Sequence, residues 1–220
     1  MKQEKRHTLY VIGGLARVGK TTIFAKLVQQ RHAITIQSDA IRAGLRKVLI
    51  GESHVNVRKI HMKASGTFQR PGDLKMHKIN HVIDTKDEDE LAWIGITGLL
   101  ETYDRNNRAD VIIEGIAITP ERLHALKLKN LKVRAVFIGY NNDSQLERML
   151  AFAHKEKDWV WRTIQEHDGN TDHVVKWVRE GIVKSRKLER GAKKFKYGYF
   201  DISAGPFKQH TEAVVKYLLG

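Results

Sequence analysis

The chain has 220 residues, enough for one large domain or two small ones with a core that needs no disulfide or metal to stabilise it. It contains no cysteine, which excludes disulfides, thiolate zinc sites and cysteine nucleophiles and fits a reducing cytoplasm. Lysine and arginine number 39 against 25 aspartate and glutamate, and this formal charge of +14 favours anionic partners such as nucleotides, phosphorylated or carboxylated small molecules, or nucleic acid.

The first motif lies between a predicted strand and a predicted helix. Residues 9–12 form a short apolar run of strand formers, and residues 22–30 carry apolar side chains at helical spacing. The residues between them match G-x-x-x-x-G-K-[ST], the phosphate-binding P-loop or Walker A motif. The predicted nucleotide-binding residues are Gly14, Leu15, Ala16, Arg17, Val18, Gly19, Lys20, Thr21 and Thr22.

Each residue type in this motif has a physical reason. Gly14 and Gly19 let the backbone curl around an anion and present its N–H groups, and the following helix directs its positive end at the same phosphates. Lys20 supplies a mobile positive charge for the β- and γ-phosphates, and the Thr21 hydroxyl is placed to ligate Mg²⁺. The alternative is a glycine-rich turn that binds nothing, which the complete set of strand, spacing and helix disfavours.

A second strand is predicted at 33–37, and it ends at Ser38 and Asp39. Because ligands of open parallel sheets bind beyond the carboxyl ends of the strands, Asp39 is expected beside the P-loop. There it would accept the proton of a substrate hydroxyl or help to hold Mg²⁺, unless it only caps the next helix, predicted at 40–46. Arg42 lies on the same helical face and would bind a phosphate or carboxylate.

Residues 51–83 are the least regular part of the chain and are strongly basic. They carry six lysine and arginine residues against Glu52 and Asp73, together with glycine and proline that indicate loop. We interpret this segment as a substrate-side insertion that binds an anion. A solvated loop is the alternative, and the four histidines show no paired pattern that would favour a metal site.

A helix at 88–106 and a buried strand at 111–113 follow, and the strand ends at Glu114 and Gly115. A carboxylate at this strand end can reach the coordination shell of Mg²⁺, usually through a water. The alternative is an edge glutamate that faces solvent. Pro120 then opens a short helix in a favourable first-turn position.

The second half of the chain continues the alternation of strands and helices. Residues 141–165, charged and aromatic towards their end, are predicted to form a mobile lid of the kind found in nucleotide kinases. Arg148 and Arg162 are the candidate cations for the transferring phosphoryl group, with ordinary surface arginines as the alternative. The other predicted elements are a strand at 131–139, helices at 145–153, 171–194 and 211–219, and a strand at 197–203.

The alternation of strands and helices predicts an α/β fold. We expect a five-stranded, mostly parallel sheet with right-handed crossovers and helices on both faces, all within a single domain spanning residues 1–220. The basic insertion and the lid are additions to that core.

With these residues placed, the sequence resembles P-loop small-molecule kinases, in particular the branch that contains 2-phosphoglycerate kinase, zeta-toxin and chloramphenicol phosphotransferase-like proteins. The resemblance implies a P-loop NTPase fold of nucleoside-kinase type with a lid, and ATP and Mg²⁺ as cofactors. It also implies that Lys20 and Thr21 bind the phosphates and Mg²⁺, that Asp39 is the base or a carboxylate that orients Mg²⁺, and that Arg42 contacts the substrate or a phosphate. Glu114 is the third predicted metal-shell residue, from its place at the end of its strand. The residues that carry it are 14–22, Ser38, Asp39, Arg42, 111–115, Pro120 and 199–203.

We therefore expect a kinase that transfers the γ-phosphoryl group of ATP to a hydroxyl of a small anionic acceptor. A polynucleotide or nucleotide kinase, or a nucleotide-dependent switch that acts on a protein partner, are the alternatives. Nucleic acid is the less favoured partner, because the sequence shows no aromatic RNA-binding signature, helix-turn-helix pattern or zinc spacing. No run approaches the ~18 apolar residues of a membrane span, so we expect a cytoplasmic monomer or homodimer with no membrane partner.

Overall fold

A computed structural model describes residues 6–50, 85–106, 108–203 and 205–220. The predicted basic insertion at 51–83 therefore lies outside the described residues. The strands are β1 (Thr8–Gly14), β2 (Ala33–Gln37), β3 (Asp110–Gly115), β4 (Lys132–Gly139) and β5 (Gly198–Asp201). The helices are α1 (Lys20–Gln30), α2 (Ser38–Ile50), α3 (Thr85–Asn106), α4 (Pro120–Ala125), α5 (Ser144–Glu156), α6 (Trp159–Glu166), α7 (Asp172–Lys194) and α8 (Phe207–Leu219).

The five strands form one sheet in the order β2-β3-β1-β4-β5, and each described pair of neighbours is parallel. β1 lies at the centre, with Leu9 opposite Val111 of β3 on one side and Thr8 opposite Lys132 of β4 on the other. The predicted five-stranded α/β sheet is confirmed. Its described strands are all parallel, and therefore their carboxyl ends meet at a single edge.

Helices cover both faces of the sheet, as predicted. Successive side chains of β1 point to opposite faces, so that Tyr10 and Ile12 belong to one buried cluster and Leu9 and Val11 to another. The first cluster contains residues of α1, α5, α6, α7 and α8, and the second contains residues of α3, α4 and α7. Burial on both faces explains why β1 and β3 read as continuous apolar runs.

Several helices begin earlier than the sequence pattern predicts, and β5 is shorter. β5 ends at Asp201 because the carboxylate of Asp201 accepts hydrogen bonds from the backbone N–H of Ser203, at 2.8 Å, and from its hydroxyl, which turns the chain out of the sheet. α8 then begins at Phe207 directly after Pro206. None of the helices within the described ranges is long and apolar enough to span a membrane.

Candidate functional site

The P-loop forms the turn between β1 and α1. Gly14 and Gly19 have φ angles of 128° and 82°, values that glycine tolerates best. A Cβ atom on Gly14 would lie 2.1 Å from the carbonyl oxygen of Ile138 on β4, so there is no room for a side chain. The backbone N–H of Leu15 donates to the same oxygen at 3.1 Å and ties the loop to β4.

The amino end of α1 presents unused hydrogen-bond donors. Gly19 precedes the helix and supplies no capping side chain. No described residue accepts a hydrogen bond from the backbone N–H groups of Lys20, Thr21 or Thr22. Together with the positive end of the helix dipole, these groups form an anion-binding site of the kind that receives phosphates.

Lys20 is a buried cation inside this loop, with 8% of its surface exposed. Its Nζ donates to the carbonyl oxygen of Leu15 at 2.6 Å. Burial lowers the pKa of Lys20 from 10.5 to about 8; the negative charges of Glu114 and Asp39 oppose this shift, and Arg42 adds to it. An anion bound in the loop would stabilise the charged form of this ammonium group. The four ionisable side chains are therefore close enough to act as one electrostatic site.

Glu114 ends β3 beside the loop and is 6% exposed, so it does not face solvent. Its Oε1 accepts hydrogen bonds from the hydroxyl of Thr21 at 3.4 Å and from Nε2 of Gln37 at 3.2 Å. Burial raises the pKa of Glu114, and the charge of Asp39 raises it further while Lys20 opposes both. Gln37 was not among the site residues predicted from the sequence, although its place at the end of β2, in register with Glu114, makes it a neighbour.

The donor set around Thr21 fits Mg²⁺. A threonine hydroxyl and a carboxylate are hard oxygen ligands, and Mg²⁺ is usually held by one or two carboxylates together with waters and substrate phosphates. Within the described residues, no three His, Cys, Asp or Glu side chains cluster as a metal site made by the protein alone. Thr21 and Glu114 are in contact, and Asp39 is near enough to change the pKa of Glu114.

Asp39 and Arg42 lie on the first turns of α2, which begins at Ser38. Asp39 is exposed and its charge acts on both Lys20 and Glu114, so the structure brings it to the carboxyl edge with the P-loop. The guanidinium of Arg42 forms an ion pair with Asp89 of α3, while its Nε has no partner among the described residues. Arg42 therefore lies at the site with part of its hydrogen-bonding capacity unused.

Gly115 determines how closely α2 approaches β3. A Cβ atom on this glycine would lie 1.7 Å from the hydroxyl oxygen of Ser38, which is completely buried. The absence of a side chain thus lets the first residue of α2 pack against the end of β3. This contact sets the position of Asp39, the next residue, relative to Glu114.

A link between the P-loop and the α5–α6 corner was not predicted. Arg17 has a φ of 64°, and its side chain forms an ion pair with Asp158. Asp158 also caps α6 by accepting hydrogen bonds from the N–H groups of Val160, at 2.9 Å, and Trp161, at 3.2 Å. Burial tends to raise the pKa of Asp158, but the hydrogen bond from Arg17 and the other favourable contacts leave it lowered. One carboxylate therefore serves both the P-loop and a helix start.

Two aromatic rings and an amide complete this link. The guanidinium of Arg17 lies 5.3 Å from the ring centre of Phe152 and 5.2 Å from that of Trp159. Nε2 of the buried Gln145 on α5 donates to the carbonyl oxygen of Arg17 at 3.0 Å. The presence of Arg17 in the P-loop was the one sequence signal for this link. It did not identify Asp158 as the partner.

Arg148 and Arg162 occupy different environments. Arg148 on α5 donates to the carbonyl oxygens of Ile202 and Gly205 and thereby holds the loop that follows β5. Arg162 on α6 is exposed, and its side chain makes no hydrogen bond, ion pair or ring contact with the described residues. Neither side chain forms a hydrogen bond or ion pair with the P-loop. The predicted lid region consists of α5 and α6, whose buried residues Met149 and Val160 belong to the core, and its mobility stays a prediction.

The ring of Phe207 at the start of α8 lies against the P-loop. A Cβ atom on Gly19 would lie 2.3 Å from this ring. Phe207 is 42% exposed, so part of the residue faces solvent. Phe207 was not selected from the sequence.

Comparisons with known proteins bear on the fold. No protein-family model matches the chain, and no curated protein sequence matches it. Among solved structures, a gluconokinase from Sinorhizobium meliloti 1021 is 14% identical with a TM-score of 0.54, covering 98% of this chain and 94% of its own. A shikimate kinase from Bacteroides thetaiotaomicron is 15% identical with a TM-score of 0.52, covering 96% of each chain. The fold is an α/β P-loop NTPase fold, as predicted.

Proposed function

We propose that this protein is an ATP- and Mg²⁺-dependent kinase that phosphorylates a hydroxyl group of a small anionic acceptor. One observation carries the proposal. The residues that converge at the carboxyl edge of the sheet are Lys20 and Thr21 on α1, Asp39 and Arg42 on α2, and Glu114 at the end of β3. The two helices follow β1 and β2, and β3 lies between these strands in the sheet. Similarity of fold to a gluconokinase and a shikimate kinase supports phosphoryl transfer as the reaction class.

The groups of the P-loop suit the phosphates of ATP. The free N–H groups at the start of α1 and the ammonium of Lys20 would bind the β- and γ-phosphates. Thr21 and Glu114 would hold Mg²⁺, which neutralises charge on the phosphates when it is bound. The exposed ring of Phe207 beside Gly19 would offer an apolar surface to the base.

The groups on α2 suit the acceptor. Asp39 is exposed and lies close to Lys20, so its carboxylate would accept the proton of the attacking hydroxyl or orient that hydroxyl towards the γ-phosphorus. Arg42 would bind an anionic group of the acceptor through its guanidinium, in exchange with Asp89. These two contacts are the reason for proposing a small acceptor that carries both a hydroxyl and a negative charge.

The test is transfer of ³²P from γ-labelled ATP with Mg²⁺ to a panel of phosphorylated acids, nucleosides, sugars, aminoglycosides and 5′-hydroxyl oligonucleotides. We expect label in one acceptor class, with transfer abolished by Lys20→Ala and reduced about 10²- to 10⁴-fold by Asp39→Asn, the range of a lost general base. Asp143→Asn is the matched control, because Asp143 is exposed at a helix start and makes no capping hydrogen bond.

Two results would overturn the proposal. Nucleotide binding accompanied only by slow release of free phosphate, whichever acceptor is present, would favour a nucleotide-dependent switch. Transfer confined to oligonucleotide ends would keep the chemistry and replace the small acceptor by a polynucleotide.

A further inference from the structure

The amino end of the sheet carries a second concave surface, far along the strands from the P-loop. It contains a solvent-open cavity of about 460 Å³. We call this surface the amino-edge basin and define it by its charged lining residues Arg6, Arg31, Arg108, Asp110, Lys132 and Arg134. None of them belongs to the candidate kinase site.

The strand register explains why these residues meet. In the parallel sheet Thr8 is opposite Lys132 and Ala33 is opposite Asp110, so four strands start at the same edge. The basic residues lie at or just before those starts: Arg6 before β1, Arg31 before β2, Arg108 before β3, and Lys132 and Arg134 in β4. The basin is therefore a product of the topology and draws on four separate segments of the chain.

The charges of the basin are poorly compensated. Among the lining residues of the basin, Asp110 supplies the one side-chain carboxylate. This carboxylate already accepts a hydrogen bond from the N–H of Thr8 at 2.8 Å and lies 3.4 Å from Nδ1 of His7. Among the cations, Arg134 donates to the carbonyl oxygen of Leu218 at 3.0 Å.

The side chains of the other four cations form no hydrogen bond or ion pair with the part of the chain that the structure describes. These are Arg6, Arg31, Arg108 and Lys132. Several like charges around one cavity repel each other, and a bound anion would relieve that repulsion.

We propose that the amino-edge basin binds a small polyanion that carries at least two phosphoryl groups. Its volume falls in the range of about 300–1,000 Å³ that is usual for small-ligand sites. Three arginines with unused guanidinium donors match the oxygen geometry of phosphoryl groups. A single-stranded nucleic acid would also need exposed aromatic rings for stacking, and the one aromatic lining residue of the phenylalanine, tyrosine and tryptophan type, Tyr10, is 4% exposed.

Inorganic tripolyphosphate is the probe, titrated calorimetrically into the full chain in magnesium-free buffer. We expect two sites in the native protein, because the P-loop also binds phosphates. Lys20→Ala should remove one site and leave the basin, whereas Arg31→Ser with Arg108→Ser should weaken the basin about 100-fold, roughly tenfold for each lost charged contact. The matched control is Lys184→Ser with Arg186→Ser, two exposed residues of α7 that remove the same charge elsewhere.

Three outcomes would overturn the inference. The first is a single site that Lys20→Ala abolishes. The second is an equal loss of affinity in the Arg31/Arg108 and Lys184/Arg186 double variants, which would indicate a general charge effect. The third is tighter binding of a 12-nucleotide single strand than of tripolyphosphate, lost in the Arg31/Arg108 variant, which would make the basin a nucleic-acid interface. Because the basin is measured in the Lys20→Ala protein, this result does not depend on the proposed kinase activity.

Discussion

The ion pair between Arg17 and Asp158 should couple the conformation of the P-loop to the packing of α5 and α6. We would test this with Arg17→Met, Asp158→Asn and the double variant. Methionine keeps the length and apolar stem of the arginine, and asparagine keeps an oxygen that caps α6. The three variants form a double-mutant cycle. It removes the two charges and leaves the positive φ of residue 17 and the cap of α6 in place.

The magnitude follows from the burial of the pair. Side-chain exposure is 15% for Arg17 and 17% for Asp158, so most of the surface of both side chains is buried. Removing one partner of a buried pair costs about 3–5 kcal/mol, whereas an exposed pair contributes about 0–1 kcal/mol. We expect each single variant to lose about 2 kcal/mol of unfolding free energy, with a coupling of about 1–2 kcal/mol between them.

Urea denaturation measures the stabilities, and calorimetric titration with an ATP analogue measures the consequence for the loop. We expect a weaker nucleotide affinity in both single variants and no further loss in the double variant, because each disrupts the same pre-organised loop. Arg162→Met is the control. Arg162 is exposed on α6, the helix that Asp158 caps, and its substitution should change the free energy of unfolding by less than about 0.5 kcal/mol. Additive effects within about 0.3 kcal/mol would refute the coupling.

Three further predictions follow from other parts of the site and fold. Burial lowers the pKa of Lys20 to about 8, and a bound anion would stabilise its charged form, so nucleotide binding at pH 8.5–9 should take up protons. Calorimetry in buffers of different ionisation enthalpy measures this uptake. Lys20→Arg should abolish it, and equal uptake in both proteins would contradict the assignment to Lys20. Burial tends to raise the pKa of Asp104, but the hydrogen bonds that its carboxylate accepts from three backbone N–H groups leave that pKa lowered. The carboxylate therefore stabilises the fold above its unfolded-state pKa, and this contribution is lost as the pH falls through its folded-state pKa. Asp104→Asn should therefore cost about 2 kcal/mol in urea denaturation at pH 7, and a difference that does not shrink below about pH 4 would argue against the mechanism. Gly115→Ala should displace Ser38 and Asp39 and reduce phosphoryl transfer while nucleotide affinity is retained. Gly44→Ala should leave transfer unchanged, because no other element within the described residues comes within 4 Å of the added Cβ.

The P-loop, the alternation of strands and helices and the α/β class could be predicted from the sequence because they depend on local patterns. Glycine spacing, a Lys-Thr pair and apolar periodicity all act within one turn or one strand. Asp39 and Glu114 could also be placed at one edge, since residues that follow parallel strands end up on the same side of the sheet.

The contacts of the long side chains were not accessible in this way. The partner of Arg17 is Asp158 on a distant segment, and that of Arg42 is Asp89, so both depend on how the helices pack. Arg148, selected as a phosphate-binding cation, is engaged with carbonyl oxygens after β5. A sequence shows that an arginine is present, but the tertiary structure decides which of several oxygens lies within its reach.

The central position of β1 affects the order in which the site is assembled during synthesis. β1 is the first strand of the chain, yet both of its neighbours come much later: Thr8 bonds to Asp110, 102 residues further on, and Leu15 bonds to Ile138. Such distant pairings make folding slow, because a long loop must close before any contact compensates for the lost entropy. Residues 14–22 are translated before β3 and β4, and we expect them to acquire the loop geometry described above only after β4 has been translated and paired. In a nascent chain, we therefore expect the proposed nucleotide binding to be a late property.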